Sequence, residues 1–148
     1  MKAVVQRVSR GSVSIEGKVV GAIGQGLVIL LGVTADDDET SMAKLANKII
    51  DLRIFQDDKG KTNLSIEDVG GEILVVSQFT LLADCRKGRR PSFFKAGDPA
   101  EACRLYEEFI SECAKRVSVV EHGQFGAVMQ VDIFNDGPFT IVLDTDEL

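Results

Sequence analysis

The sequence is poor in the residues that hold metals and disulfides. It contains one histidine, His122, and three cysteines, Cys85, Cys103 and Cys113, which show neither metal-ligand nor disulfide spacing. An odd number of scattered thiols is typical of reduced cysteines in a reducing compartment. We therefore expect a cytoplasmic protein that uses no metal and no cofactor.

Long apolar runs are also missing. No segment approaches the roughly 20 apolar residues that cross a bilayer, so no membrane association is expected. The start of the chain alternates between apolar and polar side chains and lacks the apolar block of a signal peptide. With 148 residues, 45% of them hydrophobic, and no repeat or linker, the sequence predicts a single domain over residues 1–148.

Positive charge is scarce and concentrated. The formal net charge is −6, which argues against a general nucleic-acid partner, and we expect no binding to DNA. The segment 85–90 is nevertheless rich in cations, namely Arg86, Lys87, Arg89 and Arg90. Such a loop on an acidic body can contact a few phosphates, or it can be an ordinary solvated loop. Charge alone leaves both interpretations open.

The apolar pattern predicts about seven mostly antiparallel strands. Residues 2–9 alternate as a strand, 12–23 are typical of a hairpin, and 26–33 form a short apolar run suited to a buried strand. Further extended segments are predicted on both sides of Gly60 and at 73–84, 117–121, 127–134 and 139–144, the last two joined by "NDGP".

Two helices are predicted between these strands. The first begins after the acidic residues 36–39 and carries Met42, Leu45, Ala46, Ile49 and Ile50 on one face. The second begins with Asp98 as its cap, Pro99 in the first helical position and Glu101 completing a capping box. The whole is an α+β fold in which both helices cover one side of a curled, barrel-like sheet.

Polar residues interrupt one apolar strand at a point that needs an explanation. In "ILVVSQFTLLAD", residues 73–84, strand alternation places Gln78 and Thr80 on one face and Ser77 and Phe79 on the other. These groups either bond to neighbouring backbone within a core strand, or the strand ends or bulges near Ser77. In the second case, freed backbone N–H groups could form an oxyanion hole.

Arg7 is a second polar residue at an apolar position. It shares a strand face with Ala3 and Val5, where a guanidinium is rare unless it is paired or holds carbonyl groups. The segment "NDGP", residues 135–138, is typical of a tight turn.

The common hydrolase signatures are absent. No Ser-His-Asp signature, nucleophile elbow or carboxylate pair is visible, so the sequence offers no ordinary general base. A Cys85–His122 pair would make a cysteine hydrolase, but nothing in the sequence brings the two residues together.

Three motifs in order give the sequence a family resemblance. "SQFTL" at 77–81, "RRPSF" at 89–93 and "NDGP" followed by Thr140 resemble the D-aminoacyl-tRNA deacylase family, over essentially the whole chain. The resemblance implies a homodimer that hydrolyses the ester between a D-amino acid and the terminal adenosine of tRNA. It also implies activity on glycyl-tRNA, since glycine has no side chain to exclude.

The resemblance assigns site residues. Ser77, Gln78, Phe79 and Thr80 are the catalytic residues that line the pocket for the adenosine and the aminoacyl carbonyl. We expect backbone N–H groups near Phe79 and Thr80 to hold the oxyanion, Thr80 to position the substrate, and the 2′-hydroxyl of the ribose to assist water.

The other assignments concern chiral selection. Gly137 and Pro138 are implied to form a cis element that enters the partner subunit's pocket and excludes L side chains. Arg7 braces this element, and Met129 lies along the adenine. Arg86, Lys87, Arg89 and Arg90 are expected to contact tRNA phosphates. Phe139 departs from the pattern, because a smaller aliphatic residue is expected after Pro138.

Two other functions stay open on the sequence alone. One is a non-catalytic RNA-binding module that uses the basic segment. The other is a related deacylase that acts on mischarged L-aminoacyl-tRNA.

Overall fold

The structure, a computed structural model, describes all 148 residues and is built on a curled sheet. The strands are Lys2–Ile15 (β1), Lys18–Ile23 (β2), Gly26–Gly32 (β3), Phe55–Gln56 (β4), Thr62–Leu64 (β5), Glu72–Ser77 (β6), Val120–His122 (β7) and Gln130–Asp144 (β8). The α-helices are Glu39–Ile50 (α1) and Pro99–Ala114 (α2), and 3₁₀ helices follow β6 at Phe79–Leu82 and β8 at Thr145–Glu147. None of these helices combines the length and the apolar character needed to span a membrane.

The sheet is organised around β1. The first half of β1 pairs with β3, its second half pairs with β2, and β8 pairs with it along its length, all antiparallel. β6 lies parallel to β3, and β7 lies parallel to β6. β2 and β7 come so close that a Cβ on Gly21 would stand 2.9 Å from the carbonyl oxygen of His122. The sheet therefore curls into a nearly closed barrel.

Most strand pairings are antiparallel, as predicted, but β6 pairs in parallel with both β3 and β7, so the sheet is mixed. Between β3 and β6 the chain passes through α1 and the β4–β5 hairpin, and between β6 and β7 it passes through α2. Crossovers of this length return the chain to the same end of the sheet and so produce parallel neighbours. The predicted α+β, barrel-like architecture with both helices on one side is confirmed.

Two apolar clusters lie on opposite faces of the sheet. The larger one joins Leu27 and Ile73 to Leu45 of α1 and Phe109 of α2. The smaller one comprises Val8, Val13, Ile23, Val28, Leu74 and Val76. Because β3 and β6 contribute to both clusters, they are buried on both faces, as their continuous apolar runs predicted.

Several strand boundaries differ from the prediction, and two of the differences bear on the site. β6 ends at Ser77 instead of continuing to residue 84. The predicted strands 127–134 and 139–144 form the single strand β8, because β1 is long enough to pair with the residues on both sides of "NDGP". That segment is an irregularity within β8, not a turn that reverses the chain.

Both helices begin close to the predicted positions, and of the two capping residues predicted for α2 only Asp98 is confirmed. At α1, Asp38 and Ser41 form a reciprocal capping box. At α2, Asp98 is the N-cap, its side chain accepts a hydrogen bond from the N–H of Ala100, and Pro99 is the first helical residue. The capping-box role of Glu101 is wrong, because its carboxylate pairs with Arg104 one turn later. A guanidinium is a stronger partner for a carboxylate than a backbone N–H.

Asp37 joins the two ends of the chain. Its Oδ1 lies 2.5 Å from the α-ammonium of Met1, which also donates to Thr145 Oγ1 at 2.5 Å. Its Oδ2 accepts from the N–H and hydroxyl of Thr34 at 2.7 and 2.8 Å. Burial alone would raise the pKa of Asp37, but the hydrogen bonds from the ammonium and from Thr34 outweigh it and lower the pKa below its usual value.

Replacing Asp37 by asparagine should destabilise the fold in a pH-dependent way. The ammonium of Met1 would stay buried without its counter-ion, so we expect a loss of about 3 kcal/mol in the free energy of unfolding at neutral pH. A lowered folded-state pKa means that Asp37 stabilises the fold above its unfolded pKa of about 4 and stops doing so as the pH falls through the folded pKa.

Urea unfolding of Asp37→Asn at neutral pH and at about pH 3 measures this dependence. Asp36→Asn is the control, since Asp36 is exposed and forms no ion pair. The difference between wild type and Asp37→Asn should shrink in acid. An equal difference at both pH values would contradict the assignment.

Candidate functional site

A cavity of about 570 Å³ opens where three parallel strands end. Val33 follows β3, Val76–Phe79 form the end of β6, and Phe125–Met129 belong to the loop after β7. The carboxyl ends of parallel strands are where ligands usually bind in sheets with crossover connections. The lining is mainly apolar and contains no aspartate, glutamate, histidine, lysine, cysteine or tyrosine.

The polar residues of the interrupted strand lie at its end and not inside the core. Ser77 is the last residue of β6 and pairs with Leu31 of β3, and the N–H of Gln78 donates to the carbonyl of Leu31 at 2.7 Å. The backbone then leaves the strand at Gln78. Ser77, Gln78 and Phe79 consequently line the cavity. The alternative of a core strand with internally satisfied polar groups is wrong.

Thr80 occupies a different place from the one that strand alternation predicted. It belongs to the 3₁₀ helix, it is exposed, and it is not among the lining residues of the cavity. Its hydroxyl accepts a hydrogen bond from the side-chain amide of Gln78. The side chain of Thr80 therefore contacts the cavity wall only through Gln78.

Two backbone donors are free beside this wall. The first N–H groups of any helix have no acceptor within the helix. At the 3₁₀ helix these groups belong to Phe79 and Thr80, and no other backbone or side-chain group accepts from them. Adjacent free N–H groups are chemically suited to stabilise an oxyanion.

Two further aromatic side chains, Phe93 and Phe125, complete the cavity, and sequence reasoning gave these two no role. Phe93 packs edge-on against Phe79 with ring centroids 5.0 Å apart, and Phe125 lies on another wall. Met129 also lines the cavity. The only sequence signal for Phe93 as a site residue was its place in "RRPSF". Phe125 had no such signal, because it lies in the loop after β7, a strand of only three residues.

Gly137 and Pro138 do not line this cavity. The bond between them is cis, and both residues are exposed in the middle of β8. Gly137 has φ +135°, and a Cβ there would stand 3.0 Å from Nη2 of Arg7, so glycine is required by both conformation and space.

Arg7 is buried and holds two carbonyl groups, as its position among apolar residues indicated. The residue is only 7% exposed, and its side chain donates to the carbonyl of Asp136 at 3.0 Å and to that of Ile54 at 2.6 Å. The guanidinium carbon also lies 4.8 Å from the ring centroid of Phe139. The larger residue after Pro138 is thus accommodated beneath Arg7.

The basic segment is divided between paired and unpaired cations. Arg86 forms an ion pair with Asp84 at 2.5 Å, and hydrogen bonds from Arg86 hold the pKa of Asp84 well below its usual range. Lys87, Arg89 and Arg90 are exposed and form no ion pair. A phosphate would meet three unpaired cations here, and a fourth, Arg86, that is exposed but paired with Asp84.

The structure gives no support to a cysteine hydrolase. Cys85 is exposed in the basic segment, whereas His122 lines another cavity beside Tyr106, and its Nδ1 lies 2.7 Å from the carbonyl of Gly123. No group of three or more histidine, cysteine, aspartate or glutamate side chains is arranged to hold a metal.

Comparison with known proteins identifies the family. The model of the D-Tyr-tRNA(Tyr) deacylase family matches residues 4–144. The chain belongs to this family. A protein of Dehalococcoides mccartyi (strain CBDB1) named D-aminoacyl-tRNA deacylase is 59% identical over 145 residues, covering 98% of this chain and 95% of that protein. One of the same name from Thermosipho africanus is 53% identical and covers 100% and 99%.

Solved structures share the fold of this chain. One named c-Myc DNA Unwinding Element Binding Protein is 44% identical, with a TM-score of 0.92 over 97% of this chain and 98% of that one. A probable eukaryotic D-amino acid tRNA deacylase, 18% identical with a TM-score of 0.82 over 96% and 97%, shares the fold. Membership of the D-Tyr-tRNA(Tyr) deacylase family makes the chain a hydrolase of ester bonds, which confirms the expected enzyme class.

Replacing Arg7 by lysine should destabilise the fold although the charge is kept. Arg7 donates from both Nε and Nη1, whereas a lysine has one nitrogen and would leave a buried carbonyl without a donor. We expect the free energy of unfolding to fall by about 1–3 kcal/mol, measured by urea titration.

Arg10→Lys is the matched control on the same strand. The Arg10 side chain is exposed and rests 3.8 Å from the ring centroid of Phe134, so its replacement should cost less than about 1 kcal/mol. Equal losses in the two variants would contradict the role of Arg7 in holding β8.

Proposed function

We propose that this protein hydrolyses the ester between a D-amino acid and the terminal adenosine of tRNA, in the cytoplasm, and that it also accepts glycyl-tRNA. The observation that carries the proposal is the cavity at the end of β6, where Ser77, Gln78 and Phe79 meet two free backbone N–H groups. The family assignment directs this chemistry to aminoacyl esters of tRNA.

The cavity suits a nucleoside. Its volume of about 570 Å³ lies within the range of small-ligand sites. In our proposal the adenine lies against the apolar wall that includes Phe79, Phe93 and Met129, and the ribose and ester lie towards Ser77 and Gln78. Flat aromatic rings favour this orientation because bases stack on them.

The proposed mechanism needs no side-chain base. Water attacks the ester carbonyl carbon, assisted by the 2′-hydroxyl of the substrate, and the N–H groups of Phe79 and Thr80 stabilise the oxyanion. The bond from the carbonyl carbon to the ribose 3′ oxygen then breaks, this oxygen takes a proton, and the free amino acid and tRNA leave.

Thr80 has a positioning role in this mechanism. Its hydroxyl accepts from the side-chain amide of Gln78, a residue that lines the cavity, so Thr80 fixes the orientation of that amide. Detection of an acyl-Thr80 adduct by mass spectrometry during turnover would contradict this role.

Chiral selection is proposed to involve a second copy of the chain. Gly137 and Pro138 are exposed and lie outside the cavity of their own chain, so they are free to enter that of a partner. Their strand is a sheet edge with exposed apolar residues, such as Val142 at 70% exposure, which favours a homodimer. Their carbonyls would bind the α-ammonium group, directing an L side chain into the wall and a D side chain to solvent.

Hydrolysis of matched esters tests the proposed function. Purified protein with chelator present should rapidly hydrolyse D-tyrosyl-tRNA and glycyl-tRNA and leave L-tyrosyl-tRNA intact, because only the L side chain meets the wall. Equal hydrolysis of the D and L esters would contradict chiral exclusion and favour a related deacylase. If none of the three esters were hydrolysed, the result would favour a non-catalytic RNA-binding module.

Mixing two inactive variants tests the shared site. Ala127→Trp should fill the cavity with a large side chain. Gly137→Ala should displace the carbonyls of Gly137 and Pro138, because the added Cβ would stand 3.0 Å from Nη2 of Arg7. After unfolding and refolding as an equal mixture, half of the dimers are mixed and each has one intact site. We therefore expect about a quarter of wild-type deacylation.

Refolding each variant alone is the control for this experiment, and it should give no recovery. An equal mixture that stays as inactive as its components would contradict a site built from two chains.

DNA binding is the second function to be tested, because a relative at 44% identity is named for binding a DNA unwinding element. The net charge of −6 disfavours it in this chain. Fluorescence anisotropy with a labelled DNA duplex at physiological salt decides the point, and saturable binding would contradict the expectation of no DNA partner.

A further inference from the structure

The loop that follows the site forms a second cavity next to the first. Asp84 and Ser92 close this loop through two backbone hydrogen bonds, of 2.7 and 2.9 Å. Phe93 then lines the cavity described above, whereas Phe94 lines a groove of about 480 Å³ together with Asp84, Arg86, Lys87 and Ser92. The two cavities are therefore lined by consecutive residues of the same loop.

Phe94 offers a flat apolar surface to solvent. Its side chain is 66% exposed, the highest value for any phenylalanine in the chain. A single exposed apolar residue is common and by itself indicates no site. The significance of Phe94 comes from the charged residues that share its groove and its loop.

Lys87 shares the groove of Phe94, Arg89 and Arg90 belong to the same loop, and the protein neutralises none of these three cations. Arg86 is held by Asp84, but Lys87, Arg89 and Arg90 have no carboxylate partner, although acidic residues outnumber basic ones by 23 to 17 in the chain. An aromatic platform beside free cations is the arrangement by which proteins bind single-stranded nucleic acid, because bases stack on the ring while phosphates contact the charges.

We infer that Phe94, Lys87, Arg89 and Arg90 form a second subsite for the unpaired ribonucleotides that precede the terminal adenosine. One base stacks on Phe94, and the phosphates contact the three cations. Asp84 shapes the loop by holding Arg86. This inference rests on the proposed function, and it adds a subsite that the terminal nucleoside alone does not occupy.

Two substrates of different length separate the subsite from the catalytic cavity. D-tyrosyl-adenosine contains only the terminal nucleoside, whereas D-tyrosyl-tRNA extends into the second groove. Phe94→Ala should raise the KM for the tRNA about tenfold more than that for the adenosine ester, and Phe94→Trp should restore it. A purely structural defect would affect both substrates alike, and that result would overturn the inference.

The contribution of the cations is measured by the salt dependence of KM for the tRNA substrate. Replacing both Arg89 and Arg90 by alanine should reduce the slope of log KM against log salt by about 1.4, since each phosphate contact to a single strand contributes about 0.7. Lys61→Ala is the control, because it removes an exposed cation from the β4–β5 hairpin. An unchanged slope in the double variant would overturn the assignment of these cations.

Direct binding distinguishes failure of the subsite from failure of the proposed function. Fluorescence anisotropy of a labelled single-stranded tetraribonucleotide that ends in adenosine should show a Kd about tenfold higher for Phe94→Ala than for wild type. Binding that depends on Phe94 without any deacylation would sustain the subsite and refute the proposed reaction. Deacylation with a Kd and a KM that are independent of Phe94 would refute the subsite alone.

Discussion

The parallel ladder between β3 and β6 stops at the pair Leu31 and Ser77, and the functional site depends on this stop. Both strands are buried on both faces, so an unpaired polar group could not be placed further back along them without a cost of about 1–3 kcal/mol. The N–H of Gln78 makes the last contact, to the carbonyl of Leu31. Beyond it the chain turns into a 3₁₀ helix, and the polar side chains, the free N–H groups and the cavity all lie at this one point.

A second constraint connects distant parts of the chain to the bulge in β8. Arg7 lies in β1, and its guanidinium holds the carbonyl of Ile54, just before β4, and that of Asp136 in β8. The same strand, β1, pairs with β3, whose end forms the cavity. β3, which ends at the cavity wall, and β8, which carries the exposed Gly137–Pro138 segment, therefore both pair with β1. This common support suits a site completed by two copies of the chain.

The sequence predicted the elements better than their connections. Apolar periodicity identified the buried faces of both helices, and the lone Arg7 among apolar residues indicated its role as a donor to carbonyls. The parallel pairing of β6 with β3 and β7 was missed, because strand direction depends on where the crossovers return and leaves no mark on an apolar run. The end of β6 was missed for a related reason, since Leu81 and Leu82 continue the apolar pattern after the strand has stopped.

Three site features depended on tertiary structure that no local pattern records. Thr80 was placed on a strand face, but the 3₁₀ helix moves it out of the cavity. The segment "NDGP" has the composition of a tight turn, and only its pairing with β1 keeps it within one strand. Phe93 and Phe94 are neighbours in sequence, and the fold alone assigns them to different cavities.

The central claim is that the protein positions the ester and stabilises charge while the substrate supplies the group that assists water. The cavity has no titratable side chain, so the claim is open to a direct measurement. Single-turnover hydrolysis should be compared for D-tyrosyl-tRNA with an intact terminal ribose and for the same ester on a terminal 2′-deoxyribose. Our account predicts that loss of the 2′-hydroxyl slows hydrolysis by about a hundredfold or more. Equal rates for the two substrates would mean that the protein itself provides the base, and would contradict the account.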